Sequence, residues 1–415
     1  MREILVKDYF MKIQFLLHSA LLSIFAATVA GGDLYADEPV SLNEIAHVHG
    51  IAVNPLQTDQ LYLATHKGLF LGTSTGGASQ VSEISDDLMG FAPHPNDPSV
   101  FFASGHPSPG GNLGVLKSVD GGKTWNKLSD GASGPVDFHA MAISPADPNV
   151  MFGANKDLQV SSDGGKNWEI VGEVPGEVFD IAASAQDSYT LFAATRKGLY
   201  RSPDRGKSWE AAYMVLKPTT MIDVAADGKI HAFIYEIGLV SAEEKDLDWK
   251  NISNSFQDRF FWRLESDPKN SNRLFAIADT GALMMSKDGG KAWTSYENHE
   301  WADNNVIEKG RVLFEENCQD CHGERGVGEK PDDMYAKDDF GFVAPPLNDS
   351  AHGWHHSDQG IVETILNGSS RNERMIAWKD ILTRGDAENL VAYIKSLWSF
   401  RSTACQGSRH MSCMN

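Results

Sequence analysis

A short motif recurs four times in the first three quarters of the chain and constrains the fold more than any other feature. Each copy reads Ser-x-Asp-x-Gly-x-x-Trp, and the copies are SVDGGKTW (118–125), SSDGGKNW (161–168), SPDRGKSW (202–209) and SKDGGKAW (286–293). The motif aspartates are 43, 41 and 84 residues apart, so the last interval spans two periods of about 42 residues, with a degenerate copy, SAEEKDLDW (241–249), between them. An internal repeat of this length predicts stacked copies of one supersecondary unit.

Each motif follows a predicted pair of strands. Segments such as VMFGANKDLQVS (150–161) and TLFAATRKGLYRS (190–202) alternate apolar residues of β-branched and aromatic type around a tight turn. Six such segments are visible. About four short strands in each repeat of 40-odd residues predict an all-β propeller, in which each blade buries its faces against its neighbours. We predict six blades over residues 40–296, with seven as the alternative.

The repeated motif resembles the Asp-box, or bacterial neuraminidase (BNR) repeat. The resemblance implies a structural role: the aspartate accepts hydrogen bonds from turn amides, the glycines adopt positive φ, and the tryptophan packs between blades. Such propellers serve as sialidases, glycan hydrolases, receptors and assembly factors, so the fold leaves the function open. Glycoside hydrolysis is the less favoured alternative, because a Phe-Arg-Ile-Pro-like segment is missing and no acidic pair stands out.

A haem-attachment motif follows the repeats. Cys318, Cys321 and His322 form Cys-x-x-Cys-His, which binds haem c through two thioether bonds and leaves the histidine as an axial ligand of the iron. Two predicted amphipathic helices flank the motif, VIEKGRVLFEEN (306–317) and DAENLVAYIKSLW (386–398). The sequence therefore predicts a small all-α domain with one covalent haem.

Residues 306–401 resemble a class I cytochrome c. The resemblance implies that Met375, in MIAWKDIL, is the second axial ligand, and that a proline carbonyl in APPLN (344–348) accepts the ring N–H of the motif histidine. Histidine and methionine ligation suits electron transfer. Three nearby histidines are the alternative axial ligands: His352, His355 and His356.

A second group of residues points to the centre of the propeller. HGIAVNP (49–55), MGFAPHP (89–95) and HAMAISP (139–145) share one register, so we expect His49, Met89 and His139 to begin inner strands that line the channel. His47 lies on the same strand face as His49, and His106 lies in a Gly- and Pro-rich insertion. These five residues are candidate copper ligands, because imidazole is a borderline donor and thioether selects the cuprous ion. The alternative is that each histidine only forms hydrogen bonds at a strand end, and His66 and His94 are interpreted as loop residues.

Three short sequences in this region resemble a group of exported Asp-box propellers. They are a His-x-His-Gly opening (47–50), a Gly-His-Pro loop (105–107) and an Asp-Phe-His strand (137–139). The resemblance implies a shared site without naming its chemistry.

The two ends of the chain carry further signals. Lys12 and the apolar run FLLHSALLSIFAATVA (15–30) predict a signal peptide over residues 1–36, with an uncleaved membrane anchor as the alternative. No later segment is apolar enough to span a membrane, so we predict an exported, periplasmic protein. The net charge of -20 excludes a nucleic-acid partner.

Residues 402–415 form a tail that we expect to be mobile, and residues 297–305 form a linker between the domains. The tail contains Cys405, His410, Met411 and Cys413. In an oxidising compartment the two cysteines favour a disulfide, whereas the density of soft donors favours copper. Both interpretations stay open at this stage.

These observations together predict an exported c-type cytochrome that carries out electron transfer. In the first interpretation the haem domain is the electron port of a propeller with a copper-type centre, which makes the protein a haem-dependent oxidoreductase. Its partner is then a redox protein or a metal substrate. In the second, the propeller is a docking or assembly scaffold and only the haem is redox active.

Overall fold

The computed structural model describes residues 39–45, 47–75, 77–107, 110–297, 303–333 and 335–414. The predicted signal peptide (1–36) and most of the predicted linker (298–302) lie outside the described residues. Within these ranges, no helix is long and apolar enough to cross a membrane. The predicted domain boundaries stay predictions.

Four-stranded antiparallel sheets form the first part of the chain, and each sheet takes its strands in sequence order. The first three sheets contain β1 (Val48–Val53), β2 (Gln60–Thr65), β3 (Gly68–Thr73), β4 (Gly77–Gln80); β5 (Asp87–Pro93), β6 (Phe101–His106), β7 (Val115–Ser118), β8 (Asn126–Ser129); and β9 (Ala140–Ile143), β10 (Met151–Ala154), β11 (Leu158–Ser161), β12 (Glu169–Gly172). The next three contain β13 (Val178–Ala183), β14 (Leu191–Thr195), β15 (Gly198–Ser202), β16 (Glu210–Ala211); β17 (Thr219–Val224), β18 (Lys229–Ile234), β19 (Gly238–Glu243), β20 (Lys250–Ser253); and β21 (Phe261–Asp267), β22 (Asn270–Ala278), β23 (Leu283–Ser286), β24 (Thr294–Ser295).

The six sheets close into a ring. Each innermost strand contacts the innermost strand of the next sheet, and β21 contacts β1. The closure is sealed by Tyr296, which is fully buried and donates a hydrogen bond of 2.6 Å to the carbonyl of Asp59 in the first sheet. The prediction of a six-bladed propeller is therefore confirmed.

The repeated motif forms the turn between the two outer strands of a blade. In the second motif the Asp163 carboxylate accepts hydrogen bonds from the backbone amides of Lys166 (3.1 Å) and Asn167 (2.9 Å). Trp168 donates its indole N–H to the carbonyl of Gly165, which adopts a φ of 84°. Each motif therefore satisfies its turn locally, which explains why it recurs with so little change.

A small helical domain follows the propeller. It contains α1 (Asn304–Asn317), α2 (Gln319–His322), a short hairpin of β25 (Lys337–Asp338) and β26 (Gly341–Phe342), α3 (Asp358–Asn367) and α4 (Arg384–Ser396). Helices α1 and α4 cross where Gly310 meets Asn389, and a Cβ at Gly310 would lie 1.9 Å from the Asn389 carbonyl oxygen. Phe314 and Val391 are fully buried at the centre of this domain.

The tail is not mobile as predicted, because it packs between the two domains. It forms α5 (Phe400–Ala404) and a 3-10 turn (Gly407–Cys413). The Phe400 ring lies 4.8 Å from that of Phe256, in the connection between β20 and β21, and Thr280 donates a hydrogen bond of 2.7 Å to the Ala404 carbonyl. Since the tail completes an apolar cluster of blade six, it gains buried area that a free end would lack.

Candidate functional site

The inner strands surround a cavity of about 900 Å³ along the axis of the propeller. Strand β1 carries His49, strand β5 begins at Asp87, and His139 comes directly before β9. The turn between β2 and β3 carries His66, and β6 ends at His106. The starts of inner strands and these turns lie at the same end of the ring, which we call the channel mouth.

Three side chains converge at the channel mouth. His49 Nε2 lies 3.2 Å from His66 Nδ1 and 3.4 Å from Asp87 Oδ1, while His66 Nδ1 also contacts Asp87 Oδ2 at short distance. One donor atom from each of the three residues lies within 4.8 Å of the other two. The arrangement has the size and the donor types of a transition-metal site.

The electrostatics of this cluster favour a cation. Burial lowers the pKa of His49 to about 4, against the opposing effect of the Asp87 carboxylate, so the ring is neutral and has a lone pair to donate at physiological pH. Asp87 is only 8% exposed, and its Oδ1 makes no hydrogen bond among the described residues. A buried carboxylate oxygen without a hydrogen bond is costly unless a cation compensates it.

A second carboxylate extends the cluster into blade three. His106 places Nε2 3.2 Å from Asp87 Oδ2 and Nδ1 3.3 Å from Asp137 Oδ2. His139 Nε2 lies 3.1 Å from the same oxygen of Asp137. Burial acts to raise the pKa of Asp137, but the hydrogen bond and charge of His139 and the charge of His106 together lower it. Imidazoles and carboxylates therefore alternate across blades one to three.

The structure brings together most of the candidate ligands in the propeller. His49, His106 and His139 lie in the cluster, and the His47 ring lies 5.1 Å from the His66 ring at its edge. Met89 is half-buried on β5, two residues after Asp87. The β5–β6 register shifts between Met89 and Ala92, and Gly90 and Phe91 take the position on the channel wall.

Three members of the cluster are not among the ligands predicted from the sequence. His66 is interpreted there as a loop residue, Asp137 appears only in the Asp-Phe-His resemblance, and Asp87 is not a candidate. The sequence contains a signal for Asp87 and another for His66. Asp87 stands two residues before Met89, just as His47 stands two residues before His49. His66 belongs to THKG in blade one, which corresponds to TRKG (195–198) in blade four.

Deeper in the channel, carboxyl groups come from the opposite blades. Asp180 on β13 and Glu265 on β21 line the cavity, and burial raises the pKa of Asp180 to about 6 and raises that of Glu265 as well. Arg263 spans the ring, since its guanidinium donates to the carbonyls of Phe179 (3.2 Å) and His139 (3.4 Å). The channel below the cluster is therefore acidic, with one fixed cation near the mouth.

The helical domain holds the expected haem-binding residues in one place. His322 donates its Nδ1–H to the carbonyl of Pro345 at 2.9 Å, which leaves Nε2 free for iron. Cys318 and Cys321 are free thiols, and Met375 packs in the same apolar cluster as Cys318. The donor set and its apolar surroundings therefore fit a haem c.

The other candidate ligands have different surroundings. His355 stacks on His410, with ring centroids 4.7 Å apart, and His356 is exposed. The side chain of His352 lies outside the described residues. Cys405 and Cys413 are joined in a disulfide, and Met411 is 66% exposed. With both sulfurs in this bond, the tail offers no thiolate to copper.

Both parts of the chain are similar to known families. A family model described as "Cytochrome C oxidase, cbb3-type, subunit III" matches residues 305–394, and one described as "Photosynthesis system II assembly factor YCF48" matches residues 108–229. The chloroplastic photosystem II stability/assembly factor HCF136 of Arabidopsis thaliana is 26% identical over 256 residues, which are 55% of this chain and 62% of that protein. The cbb3-type cytochrome c oxidase subunit FixP of Azorhizobium caulinodans is 33% identical over 95 residues, which are 21% of this chain and 28% of that protein.

A crystal structure of the Niastella koreensis GH74 enzyme has a TM-score of 0.45 at 16% identity, and covers 60% of this chain and 45% of that one. The chain spans less than two thirds of the length of the two curated relatives. It joins a six-bladed propeller with BNR-type repeats to a small helical domain that is similar to the cbb3-type cytochrome c family. The family of that domain implies haem and supports electron transfer.

Proposed function

We propose that this protein is an exported c-type cytochrome whose propeller holds a copper-type ion at the channel mouth, which makes it an oxidoreductase. The observation that carries the proposal is the convergence of His49, His66 and Asp87, with one donor atom from each within 4.8 Å of the others. The helical domain is the electron port, and the partner is a redox protein or a metal substrate.

In the helical domain, the chain would supply the residues that attach a haem and ligate its iron. Cys318 and Cys321 would bind one haem covalently, and His322 and Met375 would ligate its iron. The bound haem supplies an iron that accepts and donates single electrons. Pro345 fixes the orientation of the His322 ring through the hydrogen bond to Nδ1. The thioether of Met375 favours a higher reduction potential than a second histidine would.

At the channel mouth, the donor types favour a divalent ion. The three residues His49, His66 and Asp87 offer imidazole nitrogens and carboxylate oxygens. Without a soft sulfur donor, the site suits cupric rather than cuprous copper. Asp87 supplies negative charge in a buried position, where its attraction for a cation is screened less than in water.

The disulfide in the C-terminal tail supports export of the protein. The disulfide of Cys405 and Cys413 is stable in an oxidising compartment, which supports a periplasmic location. The signal peptide predicted over residues 1–36 agrees with this assignment.

A docking role for the propeller is the second candidate. It is favoured by an exposed apolar run before β17, in which Met214, Val215 and Leu216 are 98%, 44% and 59% exposed. Exposed apolar residues in a contiguous run favour a protein contact. HCF136, which matches the propeller region, is described as an assembly factor.

The test is the copper content per haem of the full-length protein, matured in a periplasm and dialysed against a chelator after loading with Cu(II). We expect retained copper in the wild type, and loss of at least one equivalent in Asp87→Asn and in His66→Gln. His94→Gln is the matched control, because His94 lies on the turn after β5, at the other end of that strand. Absence of retained copper, or equal copper in all four proteins, would overturn the metal site and leave the docking role.

A further inference from the structure

The helical domain carries an exposed segment with three aromatic side chains, residues 331–342, which we call the hairpin segment. It contains the hairpin of β25 and β26. The side chains of Tyr335, Phe340 and Phe342 are 66%, 78% and 38% exposed. Exposed aromatic side chains within one short segment favour a contact with another protein.

The hairpin segment is anchored to the loop that carries Met375. The guanidinium of Arg374, directly before Met375, pairs with the carboxylate of Asp338 at 2.8 Å. The side chain of Asn372 donates a hydrogen bond of 2.8 Å to the Phe342 carbonyl. These contacts fix the hairpin before any partner arrives, so docking on it costs little ordering.

The other anchor of the hairpin segment lies beside His322. The backbone amide of Glu329 donates a hydrogen bond of 3.0 Å to the carbonyl of Ala344, and the next residue, Pro345, accepts the ring N–H of His322. The hairpin segment is therefore tied to both stretches of chain that would ligate the haem iron. A protein docked on this segment approaches the haem-binding residues.

The charge of the hairpin segment restricts the kind of partner. The segment contains four aspartates and one lysine, so its formal charge is -3. Asp332 and Asp339 are exposed and form no ion pair within the part of the chain that the structure describes. The lysine, Lys337, lies over the Phe342 ring, 4.3 Å from its centroid. A complementary surface is therefore basic, and a second copy of this chain, with its net charge of -20, is disfavoured by repulsion.

We propose that the hairpin segment docks a one-electron redox protein that presents lysines around its redox centre. The inference rests on the electron-transfer part of the proposed function and is independent of the ion at the channel mouth. One electron crosses the contact, so that one centre is oxidised as the other is reduced, and no bond forms or breaks.

The charges and the aromatic side chains have different roles in this contact. Unpaired surface charges such as Asp332 and Asp339 steer a basic partner and raise the association rate, an effect that salt screens. Phe340 supplies apolar area at the contact itself, so it slows dissociation at any salt concentration. The two roles can be separated by varying the ionic strength.

The test is stopped-flow oxidation of the reduced, full-length, haem-loaded protein by two probes, a lysine-rich cytochrome c of positive net charge and an acidic copper protein. At 0.1 M salt the Debye length is about 10 Å, so only charges near the contact act. We expect the basic probe to react about tenfold faster than the acidic probe. The rate with the basic probe is expected to fall as salt rises.

Two double variants compare equal changes of charge at different places. In Asp332→Asn/Asp339→Asn we expect the rate with the basic probe to fall about fivefold at 0.1 M salt and to match the wild type at 1 M. The matched control is Glu169→Gln/Glu173→Gln, which removes two exposed carboxylates of blade three and is expected to leave the rate unchanged. Phe340→Ala is expected to weaken binding of the basic probe severalfold at both salt concentrations. Redox titration is expected to give one haem potential for all four proteins, which separates docking from a change at the iron.

The outcomes separate this inference from the proposed electron transfer. Equal rates in the two double variants, or a faster reaction with the acidic probe, would overturn the docking surface and leave electron transfer standing. Unchanged binding in Phe340→Ala would remove the aromatic contact from the surface. A haem that exchanges no electrons with either probe would overturn the electron-transfer role together with this inference.

Discussion

Replacing Phe400 by alanine is expected to loosen the haem domain from the propeller. Phe400 is 9% exposed, and its ring centroid lies 4.8 Å from Phe256 and 5.5 Å from Phe261, both in the core of blade six. Truncation of a buried phenylalanine costs about 3–5 kcal/mol, and the residual exposure places this case near the lower end of that range. The neighbouring Arg401–Asp258 ion pair, at 3.3 Å, is partly exposed and contributes about 0–1 kcal/mol. Phe400 therefore dominates the contact.

The assay is thermal unfolding followed by haem absorbance and by tryptophan emission, together with hydrogen exchange of blade-six amides. In Phe400→Ala we expect both transitions to shift down and the amides of β21 to exchange faster. The matched control is Phe340→Ala, because Phe340 is 78% exposed and its loss is expected to cost less than about 0.5 kcal/mol. Equal stability of the two variants, with unchanged exchange in β21, would refute the idea that the tail joins the domains.

Three further predictions concern the tail, the motif turns and the haem site. Replacing Cys405 and Cys413 together by serine is expected to cost about 2.5 kcal/mol, from the entropy of closing a loop with a separation of 8 residues, and the same thermal assay measures it against a single Ser412→Ala variant. In the folded protein, hydrogen bonds from Asn167 lower the pKa of Asp163 from its usual 3.8 to about 2. Its stabilisation is therefore complete above about pH 4 and is lost as the pH falls towards 2, so Asp163→Asn should flatten that part of a pH–stability curve; an unchanged slope would contradict this. Met375→Ala is expected to lower the haem reduction potential, measured by redox titration, whereas the exposed Met411→Ala is not; equal potentials would exclude Met375 as a ligand.

The architecture could be predicted from the sequence because its signals are local. The motif around Asp163 satisfies its own turn, so its spacing counts blades without knowledge of their packing. Cys318, Cys321 and His322 similarly mark the haem domain through a fixed spacing. Local motifs of this kind can be recognised in the sequence without knowledge of the fold. They are sufficient to predict six blades followed by a small helical domain.

The site was only partly predictable because it is assembled by the ring. His49 and His139 were found through the shared register of inner strands. His66 was missed because a turn residue shows no periodicity, and it reaches the cluster only when β2 and β3 are folded. The assignment of Met89 to the cluster stays a prediction, and the register of β5 and β6 shifts between Met89 and Ala92. Such irregularities depend on packing and have no pattern in the sequence.

The C-terminal tail is a second region whose structure the sequence does not predict, because it is more ordered than expected. The sequence predicts a mobile tail because residues 402–415 follow the last predicted helix, whereas α5 (Phe400–Ala404) runs from the haem domain into that tail. Its order comes from blade six, where Phe400 joins an aromatic cluster, and from the Trp354 side, where the disulfide is buried. Long-range contacts of this kind decide whether a chain end is ordered.

The inner-strand register also divides the channel mouth into two halves. The position of His49 and His139 in blades one and three is taken by Phe179 in blade four and by Trp262 in blade six, whose rings lie 6.1 Å apart. Arg263 joins the halves, since its guanidinium donates to the carbonyls of Phe179 and His139. Trp262 is 38% exposed, so solvent reaches this side of the mouth. The two halves therefore differ in chemistry, with aromatic rings on one side and imidazoles and carboxylates on the other.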